Sequence, residues 1–158
     1  MNKQTLYDIF EYKDGELYWK IFTGKSKVGK MAGVVNSIGY KITTIQGKIY
    51  SNHRLIFLMH NGFFPEYVDH INGIKHDNRI ENLREATASE NSLNQKLSIT
   101  NSSGIKNVHW HKLAKKWIVN IQVNGKRKNF GSYNDIDYAK FIADAMRYKY
   151  HKEFANNG

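Results

Sequence analysis

Apolar and polar positions alternate over short stretches through the first fifty residues, the period of half-buried strands. Asp14-Gly15 is a turn signal, followed by a strand-like run over residues 16–21. Residues 39–45 and 48–51 flank Gln46-Gly47, a second hairpin signal. From Ser51 the period lengthens. Leu55, Ile56, Leu58 and Met59 form one apolar face, and Asn52 is placed to cap a helix running through Met59 and His60. Pro65 follows in a turn, and residues 67–73 have the pattern of a strand entering a turn. A second helix is expected to start between Glu85 and Thr87 and to end near Asn94. Residues 98–104 are polar and turn-rich, a linker. Beyond it, residues 105–111, 116–123 and 127–133 have strand character, and Asn124-Gly125 joins the last two as a type I′ hairpin. A helix is expected over residues 134–151, with Ala139, Ile142, Ala143, Met146 and Tyr150 on one face. Asp135 and Asp137 at its start and Arg147, Lys149 and Lys152 near its end suit the helix dipole. The pattern predicts an α+β chain. Its parts are a small N-terminal β scaffold (1–50), a central block (51–97), a linker (98–104) and a C-terminal βββα unit (105–158).

Composition narrows the function. The chain has 158 residues, 41% apolar and 13% aromatic, enough for a core and against a wholly disordered chain. With no cysteine, disulfides, thiolate nucleophiles and cysteine-ligated metals are excluded, closed zinc sites among them. No apolar run approaches the ~18–20 residues of a membrane helix, and the N-terminus lacks an apolar signal core. A soluble, cytoplasmic protein without a membrane partner is expected.

Charge adds a partner. The net charge is +10. Residues 1–96 carry +3 of it and residues 97–158 carry +7, and no acidic residue lies between Glu90 and Asp135. That stretch holds Lys96, Lys106, Lys112, Lys115, Lys116, Lys126, Arg127 and Lys128, interleaved with His109, Trp110, His111 and Trp117. A face that only solubilises mixes both signs. A single-sign stretch fits a polyanion, whose phosphates release counterions when neutralised. Nucleic acid is the expected partner, and charge alone does not separate DNA from RNA.

The residue types for phosphodiester chemistry are densest in Val68-Asp69-His70-Ile71-Asn72-Gly73, in Asn78-Arg79-Ile80-Glu81-Asn82-Leu83-Arg84 and in Glu90-Asn91. Hydrolysis needs an activated water, a stabilised dianionic transition state and a neutralised leaving oxygen. A neutral His takes a proton from water near pH 7, and a divalent cation on oxygen ligands stabilises the leaving oxygen. His70, Asp69 and Asn91 offer these groups. Asn82, twelve residues after His70, is placed to hydrogen-bond across the intervening loop. His53 and Arg54 are candidates either for phosphate contact or for packing the first helix on this motif.

Asp-His, an Asn twelve residues on and another nine further resemble the ββα-metal motif of HNH endonucleases. The flanking Asn52-His53-Arg54-Leu55-Ile56 and Asn78-Arg79-Ile80-Glu81-Asn82-Leu83-Arg84 are similar to phage HNH homing endonucleases. The resemblance covers roughly residues 50–97. It implies His70 as general base, Asp69 as metal ligand and Asn82 as the residue that constrains the loop and orients the base. Asn91 stands at the third position, often His, as second metal ligand in an H-N-N version. One divalent ion, Mg²⁺ or Mn²⁺, is implied, with double-stranded DNA as substrate. If the chain is phage-encoded, the host-cell cytoplasm is its location. Monomer and homodimer both remain open.

Residues 98–152 resemble the AP2 DNA-binding domain, through a Gly-x-x-x-Val strand, a Lys-Trp strand, a Gly-Lys strand and an alanine-containing helix. The resemblance implies a three-stranded sheet in the major groove. By position, Lys106, His109, His111, Lys116, Asn120, Gln122, Arg127 and Asn129 would face DNA, and Asn120 and Gln122 can pair with adenine. The alternative to a nuclease is an AP2-type DNA-binding regulator without cleavage activity. Core packing is the expected role of at least one of Trp110 and Trp117.

Overall fold

The computed structural model describes residues 1–24, 27–95, 97–98 and 100–156. Lys96 of the basic stretch and Ile99 of the expected linker lie outside them. The chain divides into two units, Met1–Thr87 and Ala88–Gly158.

The first unit opens with α1 (Lys3–Ile9), capped by Asn2, whose side chain accepts from the Thr5 N–H. This helix lies where the alternation predicts only strands. Two turns with a single buried residue, Leu6, leave almost no periodic signal. An antiparallel hairpin follows, β1 (Phe10–Lys13) and β2 (Glu16–Trp19), closed at Asp14-Gly15. A second sheet holds β3 (Val34–Val35), β4 (Lys41–Ile45) and β5 (Lys48–Ser51), with β4 central and Gln46-Gly47 at the turn.

Next comes α2 (Asn52–Asn61), in which Leu55, Ile56, Phe57, Leu58 and Met59 are all buried. A helix apolar on nearly every side belongs in a core. Around it pack Leu6, Phe10, Leu17, Trp19, Ala32, Ile45, Val68 and Leu83, so residues 1–50 and the following block share one hydrophobic cluster. The Asn52 cap is corrected. The N-cap is Ser51, without a side-chain bond, and Asn52 is fully buried inside the helix. Its side chain accepts from Thr43 Oγ1 at 2.6 Å and donates to the Ala32 carbonyl at 3.0 Å, tying α2 to the sheet. Core hydrogen bonds outcompete the capping role that its position suggests.

The unit ends in a hairpin of β6 (Tyr67–His70) and β7 (Leu83–Ala86), paired Asp69 to Arg84 and His70 to Leu83. The twelve residues between hold a short 3₁₀ turn at Ile80–Asn82. The helix expected to start between Glu85 and Thr87 starts at Ala88 instead, because residues up to Ala86 are committed to β7.

The second unit begins with α3 (Ala88–Leu93). Its sheet has the order β10-β9-β8, with β8 (Val108–His111), β9 (Lys116–Val123) and β10 (Lys126–Tyr133). The first of these begins three residues later than the pattern predicts. A bulge interrupts the β9–β10 register between Asn129 and Ser132. Then α4 (Ile136–His151), capped by Asp135, packs Ala139 and Ala143 against Val108, Val119, Ile121 and Val123. Tyr150, expected on that buried face, is partly exposed and stacks near Phe130 and Lys128. Arg147 is fully buried. Its guanidinium donates to the Lys106 carbonyl at 2.6 Å and to Asn107 Oδ1 at 3.2 Å, and pairs with Asp144. Mixed helix and sheet agree with the α+β class. No helix among the described residues is long and apolar enough to cross a membrane.

Candidate active site

The β6–β7 hairpin brings Asp69 and His70 together, each 5% exposed. Adjacent strand residues point to opposite faces, so each has its own surroundings. Asp69 faces Arg84 across the pair, and Arg84 Nε and Nη2 lie 2.8 and 2.7 Å from its Oδ2. One hydrogen bond and one ion-pair contact on the same oxygen restrict the carboxylate's rotation.

On the other side, His70 Nε2 lies 3.0 Å from Asn78 Oδ1. A carbonyl oxygen only accepts, so Nε2 carries the proton and Nδ1 the lone pair. The ring of His53 lies edge-on to that of His70, with centroids 5.0 Å apart, and Tyr40 is 5.2 Å from His53 and 6.0 Å from His70. Burial pushes both imidazoles toward neutrality. His53 falls to about 3, through burial first and then through the nearby His70 and Arg54. His70 is lowered by burial, opposed by the Asn78 bond and by Asp69 and Asp77.

Asn82 bridges the loop between the strands. Its amide donates to the Asp77 carbonyl at 2.7 Å and to Asn72 Oδ1 at 3.1 Å, while its Oδ1 accepts from the Asn72 N–H at 3.0 Å. Asp77 adds a bidentate pair with Arg79 and a bond from Asn72 at 2.7 Å. Those donors hold its carboxyl far below the usual carboxylate range. The loop has no regular structure beyond one 3₁₀ turn, so these side chains supply its rigidity.

The other expected residues fall as follows. Asn91 lies on α3, in the second unit. Arg54 donates to the Pro65 and Glu66 carbonyls at 3.0 Å each and closes the turn before β6. His53 packs between Tyr40 and His70. Asn78 was not among the expected site residues. Its signal was its place at the head of residues 78–84, the segment marked by residue type and by resemblance, in which only Asn82 was given a role.

Among the described residues no group of three or more His, Asp or Glu is arranged to hold a metal ion. The donor chemistry near His70 is that of one buried carboxylate, Asp69, with Arg84 on one oxygen. That set does not make a protein cage for zinc. It fits a hard cation that keeps several waters and takes one or two protein oxygens plus phosphate.

In the second unit, strand register places His109, Ile118 and Asn120, with Gln122, Asn129 and Arg127, on the sheet face opposite α4. His111 and Lys116 pair directly across the strands at one end. Asn101, Asn107, His109, Asn120, Gln122 and Arg127 line a shallow depression there of about 350 Å³. Lys106 does not join this face. Its ammonium donates to the Leu93 and Gln95 carbonyls, and burial followed by Arg147 lowers it to about 8. Trp117 packs on the core, whereas Trp110, 42% exposed, leans on it at 4.9 Å.

Comparison with known proteins identifies the region around His70. Residues 50–93 match the family model described as HNH endonuclease. The chain is 35% identical over 97 residues to Protein 3.8 of Escherichia phage T7, an alignment covering 60% of this chain and 79% of that one. No solved structure matches the chain. The chain thus belongs to the family of the phage Protein 3.8, with an HNH endonuclease family match over its residues 50–93.

Proposed function

We infer that the protein is a metal-dependent DNA endonuclease that hydrolyses a phosphodiester with His70 as general base. The observation that carries this reading is the buried His70, neutral and tied through Nε2 to Asn78, inside a matched HNH domain. A lone pair at Nδ1 takes the proton of the attacking water. Asn78 holds the ring so that the lone pair keeps one direction. Asn82 keeps the loop carrying Asn78 closed on the strand pair. Asp69, oriented by Arg84, would hold a divalent ion such as Mg²⁺ or Mn²⁺; Asn91 is a second ligand only by what the motif resemblance implies. When bound, such an ion supplies positive charge for the phosphate and the leaving oxygen.

Duplex DNA is held by the second unit, in an AP2-like manner, through the face bearing His109, His111, Lys116, Asn120, Gln122, Arg127 and Asn129. Supporting this are the excess of positive charge in residues 97–158 and the amides gathered on one sheet face. Lys106 is left out of the interface, because its ammonium is engaged by backbone carbonyls. The regulator reading is not favoured, since the matched domain is a nuclease domain. Metal-dependent cleavage of duplex DNA by wild type, lost in His70→Ala with binding retained, tests the proposal.

A further inference from the structure

The β1–β2 hairpin lies outside the matched HNH residues, yet it touches the loop that carries Asn78 at two places. Tyr12, on β1, accepts the Ile80 N–H on its phenol oxygen at 3.0 Å across 68 residues of sequence. Its ring is anchored edge-on against His60, with centroids 4.7 Å apart. Gly15, at the hairpin tip, has φ +85°, and a Cβ there would lie 2.8 Å from the Arg79 nitrogen and 3.1 Å from the Asn78 carbonyl carbon. The tip thus rests directly on the Asn78–Arg79 peptide. One residue's side chain later, Asn78 holds His70.

We propose that the N-terminal hairpin is part of the catalytic apparatus, with Tyr12 and Gly15 as positioning residues that set Asn78 and, through it, the His70 ring. The proposal rests on the reading of His70 as the base. Its physical content is short. Asn78 is 1% exposed and sits in a loop with little regular structure. A hydrogen bond of 3.0 Å from such a loop keeps its geometry only if the backbone on either side of the donor or acceptor is fixed. The Gly15 contact fixes the Asn78–Arg79 peptide and the Tyr12 bond fixes the Ile80 N–H, both C-terminal to Asn78, while on its other side the Asp77 carbonyl is held by the Asn82 amide. Displacing the base by about 1 Å lowers a rate by as much as ~100-fold without removing any reacting group.

Gly15→Ala tests it against a matched control. Gly47 closes another hairpin of this unit with φ +78°, and a Cβ there meets nothing within 4 Å. Gly47→Ala therefore carries the same backbone strain without the contact. Tyr12→Phe removes only the acceptor oxygen. Two readouts are taken. The first is the ¹⁵N–¹H spectrum of histidine-labelled protein at pH 8, free of metal and DNA. His70 should show a protected Nε2–H resonance, identified by its loss in His70→Ala and Asn78→Ala. The second is the single-turnover cleavage rate of supercoiled plasmid beside duplex-DNA affinity by gel shift.

The proposal predicts that Gly15→Ala shifts or broadens the Nε2–H resonance and slows cleavage about 10- to 100-fold, with affinity within about twofold. Tyr12→Phe should do the same more weakly, and Gly47→Ala should match wild type in both. Equal effects of Gly15→Ala and Gly47→Ala would overturn it, as would a His70 protonated at Nδ1 instead. A wild type inert on DNA, with the resonance still altered only in Gly15→Ala and Tyr12→Phe, would overturn the nuclease reading and leave the coupling standing.

Discussion

His53 and His70 present edge to face at 5.0 Å, both buried, one on the central helix of the first unit and the other at the end of a strand. Two imidazoles that close cannot both be charged without mutual repulsion. The arrangement fixes the protonation state before any substrate arrives, and it makes stability depend on pH.

Both histidines are lowered on folding, His53 to about 3, so at mildly acid pH the unfolded chain binds protons that the folded chain does not. Stability therefore rises with pH through this window. Between the ordinary His value near 6.5 and the lowered folded value, each such group costs about 1.4 kcal/mol per pH unit of acidification. Urea denaturation at pH 7.5 and pH 5.5 should show wild type losing stability on acidification. His53→Gln should flatten that loss. A wild type equally stable at both pH values would contradict the burial of neutral imidazoles.

Asn82 makes three hydrogen bonds across its loop. Asn82→Ala leaves the Asn72 N–H and the Asp77 carbonyl without that partner, at about 1 kcal/mol or more each. The variant should lose ~2–4 kcal/mol in denaturant unfolding, with cleavage reduced further than the fall in folded protein explains. Full stability in Asn82→Ala would remove the loop-closing role.

Lys106 and Arg127 separate structural from interfacial charge. Arg127→Ala should weaken duplex binding and reduce the slope of log affinity against log salt by about 0.9, the loss of one phosphate contact. Lys106→Met should leave the slope unchanged and lower unfolding stability instead, since it removes donors to two carbonyls. Equal salt slopes for Arg127→Ala and wild type would move binding away from this sheet face.

How far the sequence foretold this arrangement varies by element. The hairpins at Asp14-Gly15, Gln46-Gly47 and Asn124-Gly125 were legible because their turns need residues that accept positive φ, and the flanking runs alternate. The buried α4 face was legible at Ala139 and Ala143 because its period of 3.6 is sustained. In contrast, α1 is too short to show a period, and Asn52 was misread because tertiary bonds to Thr43 and Ala32 override a local capping preference. The motif spacing pointed to Asp69, His70 and Asn82. Asn78 stood in the segment the sequence marked, without a role assigned to its bond to His70 eight residues away, whereas the pressure of Gly15 on its peptide was invisible, because contacts across more than sixty residues leave no mark in local pattern. Lys106 shows the same limit, since composition counts a charge without saying what its ammonium faces.

The central claim is that His70 removes a proton from water during phosphodiester hydrolysis. It is tested most directly by incubating supercoiled plasmid, and a pool of random-sequence duplexes, with wild type and His70→Ala in Mg²⁺, Mn²⁺ or EDTA. The account predicts nicked or linear product from wild type with metal and none in EDTA. It predicts at least ~100-fold less product from His70→Ala, with duplex affinity unchanged in gel shift. Equal cleavage by the two proteins, or no cleavage by wild type with either metal, would contradict it.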